Sequence, residues 1–211
     1  MVRESLRAYI EGKIIPLYAD FDSAHREDHV RTVISQALRF APLYDADEEM
    51  VYTAAAFHDT GLAVDRKTHH LESGRIIRQM EKLNEWFSRD QIETIAQAAE
   101  DHRASATVPP RTIYGMIVAE ADRQITPETV IRRTVQYGIR NFPEMNREQQ
   151  FDRTVAHLKE KYGPDGYMKL LIPESPNAAG LEQLRSLMED RERLFRIFCP
   201  IFDEESSTGI R

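Results

Sequence analysis

His58-Asp59 closes an apolar run, Tyr52-Thr53-Ala54-Ala55-Ala56-Phe57. An imidazole and a carboxylate abutting a stretch that reads as buried helix are costly unless paired, hydrogen-bonded or bound to a metal. Gly61 lies just beyond, where glycine commonly ends a helix, so the pair is expected in the last turn, aimed at one point as the chain bends. Other helices are expected to bring residues of the same chemical kind to an apolar face or a helix end. His29 shares a side with Val33, Gln36 and Ala37, and His70 shares one with Gly74 and Ile77. His102 ends the stripe Ile92, Ile95, Ala99, and Asp122 ends the stripe Gly115, Val118, Ala119. Taken singly, an inward histidine is more often a hydrogen-bonded core residue. Two inward carboxylates, Asp59 and Asp122, with no inward lysine or arginine nearby, call for a cation. Cys199 is the one cysteine, which excludes an internal disulfide and a cysteine-based metal site. A mixed imidazole and carboxylate set suits Mn²⁺, Fe²⁺, Ni²⁺, Co²⁺ or Mg²⁺ better than a structural Zn²⁺.

The elements that must position these residues are helical. Arg3 to Leu17 has apolar residues at helical spacing, and a second helix, capped by Asp22 or Ser23, runs from Ala24 to about Phe40 before Pro42. It pairs His25 with His29 one turn later. Asp45 and Glu48 form a capping box for the helix leading to His58, and Ser88 and Gln91 form another for the helix leading to His102. His69-His70 open a helix through Leu83, where the mid-helix Gly74 suggests close packing or ligand approach. Pro110 is placed to be the first residue of a helix through Arg123. Thr126-Pro127-Glu128 starts a helix to about Asn141, and Asn146 with Gln149 starts one that Gly163-Pro164 ends. A structured loop from Asp165 to Asn177 precedes a last helix, Ala178 to Phe198, and the tail after Pro200 is expected to fray. With no alternating stretch of useful length, no repeat and no low-complexity tract, the fold class is all-α.

Length and composition bound the rest. A chain of 211 residues suits one domain, 1–211, with 30% charged and 41% hydrophobic residues, ordinary globular values. Arg3, Glu4, Arg7, Glu11 and Lys13 interrupt the first stretch, so neither a signal peptide nor a membrane span is read there, and the expected location is the cytoplasm. A net charge of −7 argues against a nucleic-acid polymer as partner but leaves room for a small phosphorylated substrate. A homo-oligomer is compatible with all of this.

The order and spacing of these residues resemble the HD superfamily of metal-dependent phosphohydrolases, over about Ala24 to Gln124. The residues that carry the resemblance are His29-Val30-Arg31, Ala56-Phe57-His58-Asp59 and Glu120-Ala121-Asp122. It implies a compact HD-like helical bundle over 24–124, beyond which the helices read above form a C-terminal extension over 126–200. It implies one or two divalent ions held by His29, His58, Asp59 and Asp122, with His70 and His102 completing a second position as in two-metal members. Asp59 would bridge, and Asp59, His70 and His102 would take part in catalysis, with His25 and His69 as secondary participants. The phosphate-contacting lysine that many members carry four residues after the motif histidine is Leu62 here, so Arg66, Lys67, Arg103 and Arg123 are the expected substrate contacts. The Gly-Tyr-Pro signature of the cyclic dinucleotide branch is replaced by Ala104-Ser105-Ala106-Thr107 after His102-Arg103, which excludes that branch. The implied reaction is hydrolysis of a small phosphorylated molecule, a nucleotide by family analogy. A di-iron oxygenase of the same architecture and a non-catalytic nucleotide-binding sensor are the alternatives.

Overall fold

The computed structural model describes residues 1–21, 26–103 and 108–208, and it is all-α, with no strand among the described residues. The chain divides into two compact units, Met1–Arg123 and Gln124–Arg211. No helix among the described residues is long and apolar enough to cross a membrane.

In the first unit the central element is α3 (Glu48–Phe57), whose residues from Met50 onward are all buried. Three consecutive alanines, Ala54, Ala55 and Ala56, let neighbouring helices approach it closely, so α3 can be surrounded by α2 (Glu27–Phe40), α5 (Arg89–Glu100) and α6 (Ile113–Asp122). The helix is started by Asp47, whose carboxylate accepts from the N–H groups of Glu49 and Met50. Asp45, expected as the cap, instead turns the chain in the left-handed conformation at φ 49°, a region that Asp tolerates better than most residues. Around this helix lie α1 (Glu4–Lys13), which buries Leu6 and Ile10, and α4 (His69–Gln79). Both are shorter than their spacing suggests, because each passes into a 3₁₀ segment, Ile15–Asp20 and Glu81–Glu85, that carries on the apolar pattern.

Gly74 has a packing reason. A Cβ there would come within 2.4 Å of Glu100 Oε1 on α5. The capping box of Ser88 and Gln91 forms as expected. Pro110 does not start α6, since Thr112 caps that helix by accepting from the Gly115 N–H, which leaves the prolines in the preceding link. The helix cap expected at Asp22 or Ser23 lies outside the described residues; α2 begins at Glu27.

The second unit contains α7 (Pro127–Asn141), α8 (Arg147–Tyr162), α9 (Asn177–Glu189) and α10 (Arg191–Thr208). Thr126 caps α7, and the capping box of Asn146 and Gln149 starts α8, as their residue types require. The single last helix expected from Ala178 to Phe198 is two helices. The chain leaves helical geometry at Asp190, whose carboxylate accepts from the Arg193 N–H and so starts α10. Pro200 does not end that helix. Buried Ile201 anchors the turn after it, and Glu204 and Glu205 pair with Arg132 of α7, which fixes a segment expected to fray.

Candidate metal centre

At the end of α3 the backbone stays helical through His58 and then leaves the helix at Asp59, with φ −108° and ψ 5°. Thr60 Oγ1 donates to the Phe57 carbonyl, and the Tyr18 phenol links both sides of the turn. It donates to Ala56 O at 2.9 Å and accepts from the Asp59 N–H at 3.3 Å. Tyr18 is fully buried, and burial together with the Asp59 charge pushes its phenol well above the usual range, so it stays a neutral hydrogen-bonding post. Nothing in the spacing of the first stretch marks it apart from an ordinary core tyrosine.

Gly61 does not serve as a left-handed helix terminus, since no described glycine has positive φ. Its role is close approach. A Cβ on Gly61 would lie 2.0 Å from the His69 carbonyl oxygen and 2.7 Å from the Ser73 nitrogen, and the Gly61 N–H donates to Ser73 Oγ at 2.9 Å. The absent side chain is what lets the start of α4 press against the His58-Asp59 turn.

The result is two groups of donors that share one carboxylate: His29, His58 and Asp59 form one, and Asp59, His69 and His102 the other. Asp59 is 2% exposed, and its two oxygens face different histidines. Oδ2 lies 3.2 Å from His58 Nε2 and 3.7 Å from His29 Nε2, while Oδ1 lies 3.4 Å from both His69 Nε2 and His102 Nε2. Asp122 joins the first group, its Oδ1 3.2 Å from His29 Nε2 and 3.8 Å from His58 Nε2. Within each group the histidine pairs meet nitrogen to nitrogen, 3.3 Å for His29 and His58 and 3.2 Å for His69 and His102. Donors bound to one ion at about 2.0–2.2 Å stand roughly 2.8–3.6 Å apart, so most of these separations have the size of a shared coordination shell.

The protons point the same way. Nδ1 of His58 meets Ala55 O at 2.8 Å, Nδ1 of His69 meets Arg66 O at 2.9 Å, and Nδ1 of His102 meets Ala99 O at 2.6 Å. A carbonyl oxygen only accepts, so each Nδ1 carries the proton and each neutral ring presents a lone pair at Nε2. Two lone pairs facing at 3.2 Å, as at His69 and His102, are reconciled by a cation or a proton between them.

Without a metal, positive charge in the first group falls to His58, whereas burial pushes the His69 imidazole of the second group down. Burial pushes the His58 imidazole down, but the Asp59 carboxylate and then Asp122 outweigh it and hold it up at about 9. Burial pushes Asp59 up, and His58 and His102 more than reverse this, so it lies well below the usual carboxylate range. Asp122, with a side chain 24% exposed, is also held low: burial raises it, and the hydrogen bond to His29 and the His58 charge prevail. Among the described residues no lysine or arginine pairs with either carboxylate.

Of the residues singled out by sequence, His29, His58, Asp59, His102 and Asp122 converge. His70 does not: His69, one residue earlier, occupies the place expected for it. The His70 ring stands beside that of His69, with centroids 5.6 Å apart, and its Nδ1 is buried with no hydrogen-bond partner among the described residues. Arg66, Lys67 and Arg103 border the second group. Arg66 O holds His69, Arg103 Nη1 donates to Lys67 O at 3.3 Å, and the side chains of Lys67 and Arg103 are exposed. Arg123 differs from expectation, since its guanidinium is 9% exposed and pairs at 3.0 Å with the fully buried Glu120. His25 lies outside the described residues.

Residues 26–124 match the family model described as HD domain. This stretch is an HD domain. HD domains are generally metal-dependent hydrolases, and the two donor groups of this one are of the kind that could hold a metal. The match holds every residue of both groups and ends just past Asp122. Neither a curated protein nor a solved structure matches the chain.

Proposed function

We propose that the HD domain is a metal-dependent phosphohydrolase that cleaves a phosphoester or phosphoanhydride of a small phosphorylated molecule, a nucleotide being the leading class, in the cytoplasm. The observation that carries this reading is the two-sided Asp59, whose oxygens face two separate histidine pairs. His29, His58 and Asp122 would hold one divalent ion with Asp59, and His69 and His102 would hold a second with its other oxygen. The donor chemistry fits Mn²⁺, Fe²⁺, Ni²⁺, Co²⁺ or Mg²⁺. Such an ion, when bound, lowers the pKa of water from about 15.7 to about 7 and offsets charge on phosphoryl oxygens. The chain supplies orientation: the Ala55, Arg66 and Ala99 carbonyls fix three rings with Nε2 inward, and Tyr18 fixes the turn that carries Asp59. Arg103, Lys67 and Arg66 border the Asp59, His69 and His102 group and can contact substrate phosphate there.

The test is elemental analysis of protein purified without chelator, with phosphate release measured over a panel of nucleotides and sugar phosphates. Bound metal, activity lost on chelation and activity restored by adding the metal back are expected. Protein that holds no metal and takes none up would refute the reading. A carboxylate between two histidine pairs also suits a di-iron oxygenase, so near-ultraviolet or visible absorption and dioxygen-dependent turnover would replace hydrolysis by oxidation.

A further inference from the structure

The second unit contains a cavity of about 370 Å³ between α7 and α8, lined among others by Arg133, Tyr137, Arg153, His157, Lys161 and Tyr162. No aspartate or glutamate is among its lining residues. This runs against the composition, because the chain as a whole carries a net charge of −7. It also runs against the treatment of neighbouring arginines. Arg132, adjacent to Arg133 on α7, pairs with Glu128, Glu204 and Glu205, while Arg147 and Arg191 pair with Asp203 and Asp152.

Arg153 is held in the cavity wall without any carboxylate. Its Nε donates to Gln150 Oε1 at 3.2 Å and its Nη2 donates to the Thr134 carbonyl oxygen, which leaves Nη1 with no protein partner among the described residues. Its guanidinium carbon lies 5.9 Å from the Tyr137 ring centroid and 5.8 Å from that of Phe142. Gly138 makes room for it, since a Cβ there would come within 2.3 Å of Arg153 Nη2. A guanidinium is a planar fork suited to two-point contact with phosphate. Here it is half-buried, with its plane set by four neighbours. Arg133 is exposed and makes no ion pair among the described residues. The positive charges are felt by His157, whose imidazole burial pushes down and Lys161 and Arg153 push down further, against the opposing effect of Glu160.

We propose that this cavity is an anion site for a small molecule bearing a di- or triphosphate, sharing no residue with the candidate metal centre. Its volume admits a ligand of nucleotide size, Arg133 and Arg153 supply charge and bidentate contact, and the exposed Tyr137 ring, 58% accessible, offers a flat apolar wall. The assignment does not depend on the metal chemistry proposed above.

The experiment is isothermal titration of the full chain with inorganic pyrophosphate in the presence of a chelator, so that no metal-dependent binding or turnover contributes. Saturable binding at one pyrophosphate per chain is expected, weakened at least about tenfold by Arg133→Glu and by Arg153→Ala. The Asp59→Asn variant should bind within about twofold of the parent. Arg133 is exposed, so its variant decides the matter if Arg153→Ala does not fold. Absence of saturable binding at millimolar pyrophosphate, binding indifferent to Arg133→Glu in a folded protein, or binding lost with Asp59→Asn would each overturn the proposal.

Discussion

The two units present opposite electrostatic deficits. In the first, two carboxylates, Asp59 and Asp122, sit among histidines with no lysine or arginine paired to them among the described residues. In the second, Arg133 and Arg153 line a cavity with no carboxylate in its wall. Elsewhere the chain pairs its charges freely, as at Arg3 with Glu49, Arg31 with Glu11 and Glu27, and Arg132 with three glutamates. A folded protein leaves charge uncompensated in a partly dry place only at a cost. On the two proposals made above, deficits of opposite sign would be completed by ligands of opposite sign, a metal cation at one and a phosphate anion at the other.

The largest effect expected from breaking this contrast is at Asp59. Removing a residue that merely supports a metal ligand costs about 10–100-fold in metal affinity. Asp59 faces both donor groups, so Asp59→Asn should lower affinity at both positions by at least about 100-fold. Elemental analysis together with circular dichroism checks this, and a folded variant that retains metal would break the assignment. Next is the choice between adjacent histidines. His69→Ala should halve the metal content of a protein that binds two ions, while His70→Ala should leave it unchanged. The reverse pattern would move the second position to His70.

That choice shows where the sequence stops being sufficient. His29, His58-Asp59 and Asp122 were legible because each ends or interrupts an apolar pattern, and the capping boxes at Ser88 and Asn146 were legible because they are local chemistry. His69 and His70 are not separable in this way, since each lies four residues before a buried position, Ser73 and Gly74 respectively. The phase is set by contacts distant in sequence. Gly61 admits the start of α4, Ser73 Oγ takes the Gly61 N–H, and Arg66 O turns the His69 ring. The surroundings of Arg123 were hidden for a related reason: its partner Glu120 lies three residues earlier, on α6, but only the fold shows that both are buried. The break at Asp190 and the helix through Pro200 likewise depend on packing that local propensity does not contain.

Two glycines sharpen the comparison at smaller energies. Gly61 faces backbone, so Gly61→Ala must displace the start of α4, and overpacking of this kind typically costs about 1–3 kcal/mol. Chemical denaturation should show this loss, accompanied by weaker metal retention at the group containing His69. Gly138 faces the ends of two side chains, Gln150 and Arg153. Gly138→Ala can be relieved by moving both, and an alanine inside a helix contributes up to about 1 kcal/mol relative to glycine. Its stability should therefore change little while pyrophosphate affinity falls. Equal stability losses in the two variants, with pyrophosphate binding intact, would remove Arg153 from the anion site.

The smallest expected effect belongs to a compensated charge. Arg78 of α4 pairs with Glu93 at 2.8 Å and with Glu100, both on α5. The hydrogen bonds from Arg78 hold the Glu93 carboxyl down at about 2, against an ordinary value of 4.5. A carboxyl lowered in the folded state stabilises the fold above its unfolded value and loses that contribution as pH falls through the folded one. The window thus runs from about 4.5 down to about 2. Glu93 is 46% exposed, so solvent screening keeps the pair to about 0.2–1 kcal/mol. Arg78→Ala should lower stability by that order at pH 7 in urea denaturation, and the gap from the parent should narrow by pH 3.5. A gap that stays constant with pH would mean that Arg78 acts through packing along Glu100 and Gly74 and that its charge is dispensable.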